Sequence, residues 1–165
     1  MARINSKSKG NTFEREVAKF LSDTYKQKFI RVPNSGAYVG GKNISRKAEL
    51  DSSQVKLFKS DIIPPDGWCL NVECKSYTEF QFNQLFEGES RLLDQWINQT
   101  LMSASDDDVS IILMKFNRIG RFVCVRSDAF YLDIGLKYKD WWFTSWEQFF
   151  IPTNIDILKT LAISP

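Results

Sequence analysis

The sequence contains no histidine. That absence removes Ser-His-Asp and Cys-His catalysis, Cys/His zinc fingers, and any nuclease built around a histidine general base. Chemistry, if present, falls to carboxylates, lysines, hydroxyls, thiols or a metal. Cysteine is scarce as well: Cys69, Cys74 and Cys124 are an odd set without a disulfide framework. Cys69 and Cys74 lie in an apparent strand at positions that face opposite sides, so they cannot share a metal without a bulge. Free buried thiols in a reducing cytoplasm are the expectation. No run approaches the ~18 apolar residues of a membrane span, and the segment Met1 to Lys7 has no apolar signal core. A soluble, cytoplasmic protein without a membrane partner is therefore expected. Repeats and low-complexity tracts are also missing.

What is present is a chain of 165 residues, 43% hydrophobic and 25% charged, which suits one globular domain. The net charge of +2 conceals an asymmetry. Residues 1–60 hold 13 Lys/Arg against 5 Asp/Glu, while residues 61–165 hold 9 against 15. A basic first third suggests a polyanion-facing surface, with nucleic acid the first candidate; scatter among surface lysines is the plainer alternative.

Residues 1–10 are polar and basic and read as a flexible arm, leaving 11–165 as the folded domain. Asn11, with Glu14 three residues on, resembles a capping box opening a helix with Phe13, Val17, Phe20 and Leu21 on one stripe. Phe29 to Val32 is a short strand, stopped by Pro33 and the turn formers Asn34-Ser35-Gly36. From 37 to 59 there is little periodicity, only Gly40-Gly41 and a series of Lys and Arg; so long a connection is more often functional or mobile than idle. Two strands follow around Pro64-Pro65-Asp66-Gly67, the second alternating Leu70, Val72, Cys74 with Asn71, Glu73, Lys75. Residues 82–103 read as one long helix, and Val109 to Phe116 as a central strand buried on both faces. The run 121–126 is an adjacent strand. Thr144 and Glu147 form a second capping box before a short helix bearing Trp146, Phe149 and Phe150. The order α-β-β-β-α-β-β-α implies an α/β fold, a mixed sheet with helices against it.

The chemistry is concentrated in Ser60-Asp61 and Glu73-Cys74-Lys75. Glu73 and Lys75 are two apart on a strand and leave the same face. A hairpin returns Asp61 towards them, although pairing Ile63 with Trp68 would set Asp61 opposite Leu70, so a bulge or strong twist is needed. Two carboxylates on a rigid sheet suit Mg²⁺, and a neighbouring lysine can position water or offset phosphate charge. That is equipment for metal-assisted phosphodiester hydrolysis.

These residues resemble the PD-(D/E)XK nuclease superfamily, and within it the archaeal-type Holliday junction resolvases. The likeness runs over roughly residues 7–80: the lead-in Lys9-Gly10 into a helix with Glu14, the turn Val32-Pro33-Asn34-Ser35-Gly36, the pair Ser60-Asp61, and Glu73-Cys74-Lys75. Ser60 stands where proline is typical, and the 37–59 loop is longer than usual. The resemblance implies a restriction-endonuclease-like fold. It also implies a Mg²⁺ (or Mn²⁺) site of Glu14, Asp61 and Glu73, Lys75 serving the nucleophile, Ser35 as an auxiliary catalytic residue, and a homodimer resolving four-way DNA junctions. Lys7, Lys9, Lys42, Arg46, Lys47, Lys56 and Lys59 would contact DNA phosphates.

Plainer readings stand beside each of these. Glu14 could only cap its helix, Glu73 and Lys75 could be a solvated ion pair, Ser35 a turn residue, and the basic loop merely solvated. The aromatic group Trp141, Trp142, Trp146, Phe149 and Phe150 reads as core rather than as a base-stacking or dimer face, and Gln95 and Gln99 as structural. A linear-duplex or single-strand endonuclease on the same fold is one alternative function. A non-catalytic DNA-binding or nucleoprotein-assembly module is another.

Overall fold

In the computed structural model, residues 6–33 and 60–163 are described, and the account below concerns them. Helix α1 runs from Ser6 to Tyr25 and buries Phe13, Val17, Leu21 and Tyr25 on the anticipated stripe. It starts well before Asn11, so Asn11 lies inside the helix and caps nothing. Its side chain and that of Glu14 turn instead to Arg31. Lys26, in the left-handed region at φ 54°, ends the helix turn. The Ser22 hydroxyl then accepts from the Phe29 amide at 3.0 Å, which fixes the entry to the first strand.

Seven strands form one mixed sheet: β1 (Ile30–Arg31), β2 (Ile62–Ile63), β3 (Leu70–Tyr77), β4 (Val109–Phe116), β5 (Gly120–Arg126), β6 (Leu136–Tyr138) and β7 (Trp141–Ser145). Their spatial order is β1-β2-β3-β4-β5-β7-β6. Only β3 and β4 are parallel, joined by the crossover that carries helices α2 (Asn83–Glu87) and α3 (Arg91–Ser103). The expected single helix over 82–103 is therefore two. Gly88, at φ 73°, closes α2 in a conformation that costs a residue without Cβ nothing, and Ser90 caps α3 by accepting from the Leu93 amide.

The β6–β7 hairpin was not apparent in the sequence. It turns on just Lys139-Asp140, with Lys139 at φ 52° in a position where glycine is usual, so the residues that normally mark such a turn are missing. The short helix α4 (Trp146–Phe149) is capped by Ser145, which accepts from the Gln148 amide; Thr144 donates instead to the Ile134 carbonyl. A further helix, α5 (Pro152–Ile163), closes the described chain.

The sheet has a core on each face. Phe13, Val17 and Leu21 of α1 pack with Val72, Leu113, Val123, Trp146, Phe149 and Leu158 on one side. Leu93 and Trp96 of α3 pack with Ile112, Met114, Phe116, Cys124 and Phe143 on the other. β4 thus feeds both cores with alternate residues, as its unbroken apolar sequence requires. Each side chain fully buried in this way contributes about 1.5–3 kcal/mol. Trp141, Trp146 and Phe149 are buried, and Trp142 and Phe150 pack against the α1-side core, so packing accounts for the aromatic group. Among the described residues no helix is long and apolar enough to cross a membrane.

Candidate active site

β3 is the anchor of the site. Leu70, Val72 and Cys74 face the α1-side core, while Asn71, Glu73 and Lys75 face α3, as the alternation predicts. Asn71 donates to the Thr100 carbonyl at 2.9 Å and holds the end of α3 against the strand. β3 is therefore braced from both sides where it carries polar groups.

The β2–β3 connection decides where Asp61 goes. Ile62 pairs with Val72, so the link between the strands spans residues 64–69 rather than a tight turn. Trp68 is buried in this link against Tyr25 and Phe29, and the Cys69 amide donates to Ala162 of α5 at 2.7 Å. The Asp61 amide donates to the same Val72 carbonyl at 3.1 Å. With Ile62 opposite Val72, an antiparallel register sets Asp61 opposite Glu73. The result is that Asp61 Oδ2 accepts from the Cys74 amide at 2.7 Å, next to Glu73 rather than opposite Leu70.

Glu73 is almost fully buried. Its Oε1 accepts from Lys75 Nζ at 2.6 Å and from Gln99 Nε2 at 2.9 Å, and Lys75 Nζ also donates to Gln99 Oε1 at 2.8 Å. Side-chain exposure is only 4% for Glu73 and 12% for Lys75, so this is no solvated surface pair. Burial first, and then the charge of Asp61, push the Glu73 carboxyl up to about 7, against the pull of Lys75. On the other side, Glu14 accepts from Arg31 Nε, and Arg31 Nη2 donates to Asn11 Oδ1 at 2.7 Å. Burial raises the Glu14 carboxyl above its ordinary range despite Arg31, and Asp61 adds to the rise.

Burial is the main cause that holds the Cys74 thiol protonated, and the charges of Asp61, Glu73 and Glu14 all act in the same direction. Carboxylates from α1, from the residue before β2 and from β3 thus lie near one another, each held by a hydrogen-bond donor. Oxygen donors of this kind suit a hard divalent cation. Among the described residues, no three His, Cys, Asp or Glu side chains are already gathered as an ion cage.

Of the residues expected at the site, Glu73 and Lys75 bond each other and Asp61 bonds the Cys74 amide between them, while Glu14 is bonded to Arg31. Ser35, Lys42, Arg46, Lys47, Lys56 and Lys59 lie outside the described residues, as do the side chains of Lys7 and Lys9, which fall in the first turns of α1. Gln99 bonds both Glu73 and Lys75, so it belongs to the site rather than only to the scaffold. Arg31 was missed, and Asn11 reads in the sequence only as a helix cap; the available signal was a lone arginine inside the otherwise apolar run Phe29-Ile30-Arg31-Val32.

The family model described as "phage putative PDDEXK endonuclease" matches residues 5–155. The chain belongs to this PD-(D/E)XK endonuclease family. The match spans α1, the whole sheet and the start of α5, so the family assignment and the restriction-endonuclease-like fold cover one continuous unit. No curated protein and no solved structure matches the chain.

The raised Glu73 carboxyl makes stability depend on pH in the metal-free protein. Its folded value of about 7 lies above the ordinary 4.5, so between those values the folded state holds a proton that the unfolded state has released. This group's contribution is therefore fully present below about 4.5 and is lost as pH rises through about 7. Chemical denaturation with a chelator present should show stability falling across that window. The Glu73→Gln variant should flatten the fall, and an unchanged slope would show that Glu73 is not its source.

Proposed function

We propose that this endonuclease is a Mg²⁺-dependent endodeoxyribonuclease in which Asp61, Glu73 and Glu14 hold the cation and Lys75 serves the attacking water. The observation that carries this reading is the bond from the Cys74 amide to Asp61 Oδ2, which sets Asp61 beside Glu73 and Lys75. When bound, the metal supplies Lewis-acid activation of water and stabilisation of charge on the phosphate. Mn²⁺ shares the preference for oxygen ligands and is the expected substitute. Lys75 Nζ bonds Glu73 at 2.6 Å, so its charge would stand beside a water activated there, while Gln99 holds Lys75 and Glu73 in mutual register.

For the substrate we carry branched DNA, specifically four-way junctions resolved by a homodimer. Its support is the resemblance of the ordered motifs and the basic first third of the chain. Resolving a junction takes two cuts related by symmetry, which is why this reading includes two copies of the site.

The test is cleavage of a labelled four-way junction and a linear duplex of the same sequence, with Mg²⁺ or with a chelator. Nicking in Mg²⁺ alone, at least about tenfold faster on the junction, is the expected result, a preference of ~1.4 kcal/mol. Equal rates on both shapes would remove the junction claim and leave an endonuclease of other substrate. Salt-sensitive binding with no cleavage of any DNA would instead favour a non-catalytic module.

A further inference from the structure

Arg31 is the one residue at the site whose position the nuclease reading does not explain. It sits on β1 beside Ile62 of β2, and its side chain turns to α1, where Nε bonds Glu14 Oε2 and Nη2 bonds Asn11 Oδ1. The pair is largely enclosed, with Arg31 17% and Glu14 14% exposed. A cation therefore already occupies the carboxylate that would complete the metal site. A fixed positive charge there both competes for the oxygen ligand and repels an incoming divalent ion. As an ordinary structural ion pair, this would work against the reaction.

A guanidinium has another favoured partner. Its planar fork matches a phosphate as well as a carboxylate, and DNA brings phosphates to this place. We propose that Arg31 is a phosphate-operated latch on Glu14: it neutralises Glu14 in the DNA-free protein and transfers to a backbone phosphate when DNA docks. Glu14 is thereby released towards Asp61 and Glu73, so that metal and DNA bind cooperatively. Asn11 serves the latch as a second anchor, keeping the guanidinium aimed at Glu14. The proposal rests on the metal-site reading above. By linkage, whatever factor DNA adds to metal affinity, metal adds to DNA affinity.

The first variant is Arg31→Gln, whose sign separates latch from shape support, while Asn11→Ala and the coupling to DNA separate the latch from simple charge repulsion. If Arg31 merely supports the site's shape, losing it weakens metal binding. If it is a latch, losing it frees Glu14, and the DNA-free protein binds cation more tightly. Calorimetry with Ca²⁺, another hard cation of oxygen ligands, should show wild type binding about tenfold more weakly than Arg31→Gln. Asn11→Ala, which keeps every charge, should move affinity in the same direction by less and covers the case in which Arg31→Gln does not fold.

The second readout is coupling. Anisotropy of a labelled duplex, sulfur-substituted at its phosphates to slow hydrolysis, should show Ca²⁺ tightening wild-type DNA binding by about 5- to 100-fold. Arg31→Gln should show little or no such gain. Unchanged or weaker Ca²⁺ binding in both variants would overturn the latch. Asp61→Asn is the control: if Ca²⁺ binding does not depend on it, the metal-site reading itself has failed, and the latch with it.

Discussion

Replacing Asp61 with asparagine should reduce DNA cleavage by about 10³-fold or more while leaving the protein folded, which corresponds to ~4 kcal/mol of lost transition-state stabilisation. The substitution is a clean one because of the bond Asp61 makes. Its Oδ2 accepts from the Cys74 amide at 2.7 Å, and an asparagine carbonyl oxygen can accept the same hydrogen. What disappears is the negative charge beside Glu73, not the tie between β2 and β3. Binding of DNA without metal should survive, since phosphate contacts depend on Lys and Arg elsewhere. Single-turnover cleavage measured beside DNA binding checks both halves. A variant that cuts within tenfold of wild type would remove Asp61 from the proposed metal site.

The second large effect is expected at Lys75. Lys75→Met keeps the packed aliphatic stem and deletes the ammonium, and cleavage should fall by about 10²- to 10³-fold. Two losses act in the same direction. The charge offered to the reacting groups is gone, and Glu73 loses the hydrogen bond and attraction that oppose its raised pKa. Glu73 then holds its proton more firmly and competes less well for a cation. Titrating Mg²⁺ separates the two contributions: saturating metal recovers the part due to Glu73 and leaves the part due to Lys75. Full recovery at high Mg²⁺ would mean that Lys75 acts only through Glu73.

Much of this arrangement could be read from the amino acids because the relevant periods are short and unambiguous. The alternation from Leu70 to Lys75 placed Glu73 and Lys75 on one face, and the unbroken run from Val109 marked the centre of the sheet. Boundaries failed where a local signal had a competitor. Asn11 and Glu14 have the spacing of a capping box, yet Arg31, distant in sequence, takes both side chains. Gly88 falls inside the run that reads as one helix, but its left-handed conformation divides α2 from α3. The hairpin at Lys139-Asp140 has no glycine or asparagine to announce it, so its positive φ is imposed by the sheet pairing on either side. Gln99 reads as structural in the sequence, and only the packing of α3 across β3 brings it to Glu73. Long-range contacts of that kind leave no local pattern in the chain.

The strands that carry the site are unequal in hold. β3 is fastened along eight residues to β4 in the middle of the sheet, whereas β1 and β2 are two residues each and lie at its margin. Segments with so few backbone bonds open at a fraction of the global unfolding free energy. Asp61 and Arg31 ride on those marginal segments, while Glu73 and Lys75 stand on the part that yields last. Mild heat or denaturant should therefore part Asp61 and Arg31 from Glu73 and Lys75 while the body of the domain stays folded, an order that amide exchange at Arg31 and Ile62 against β3 would check. The same looseness gives an arriving DNA strand something to tighten.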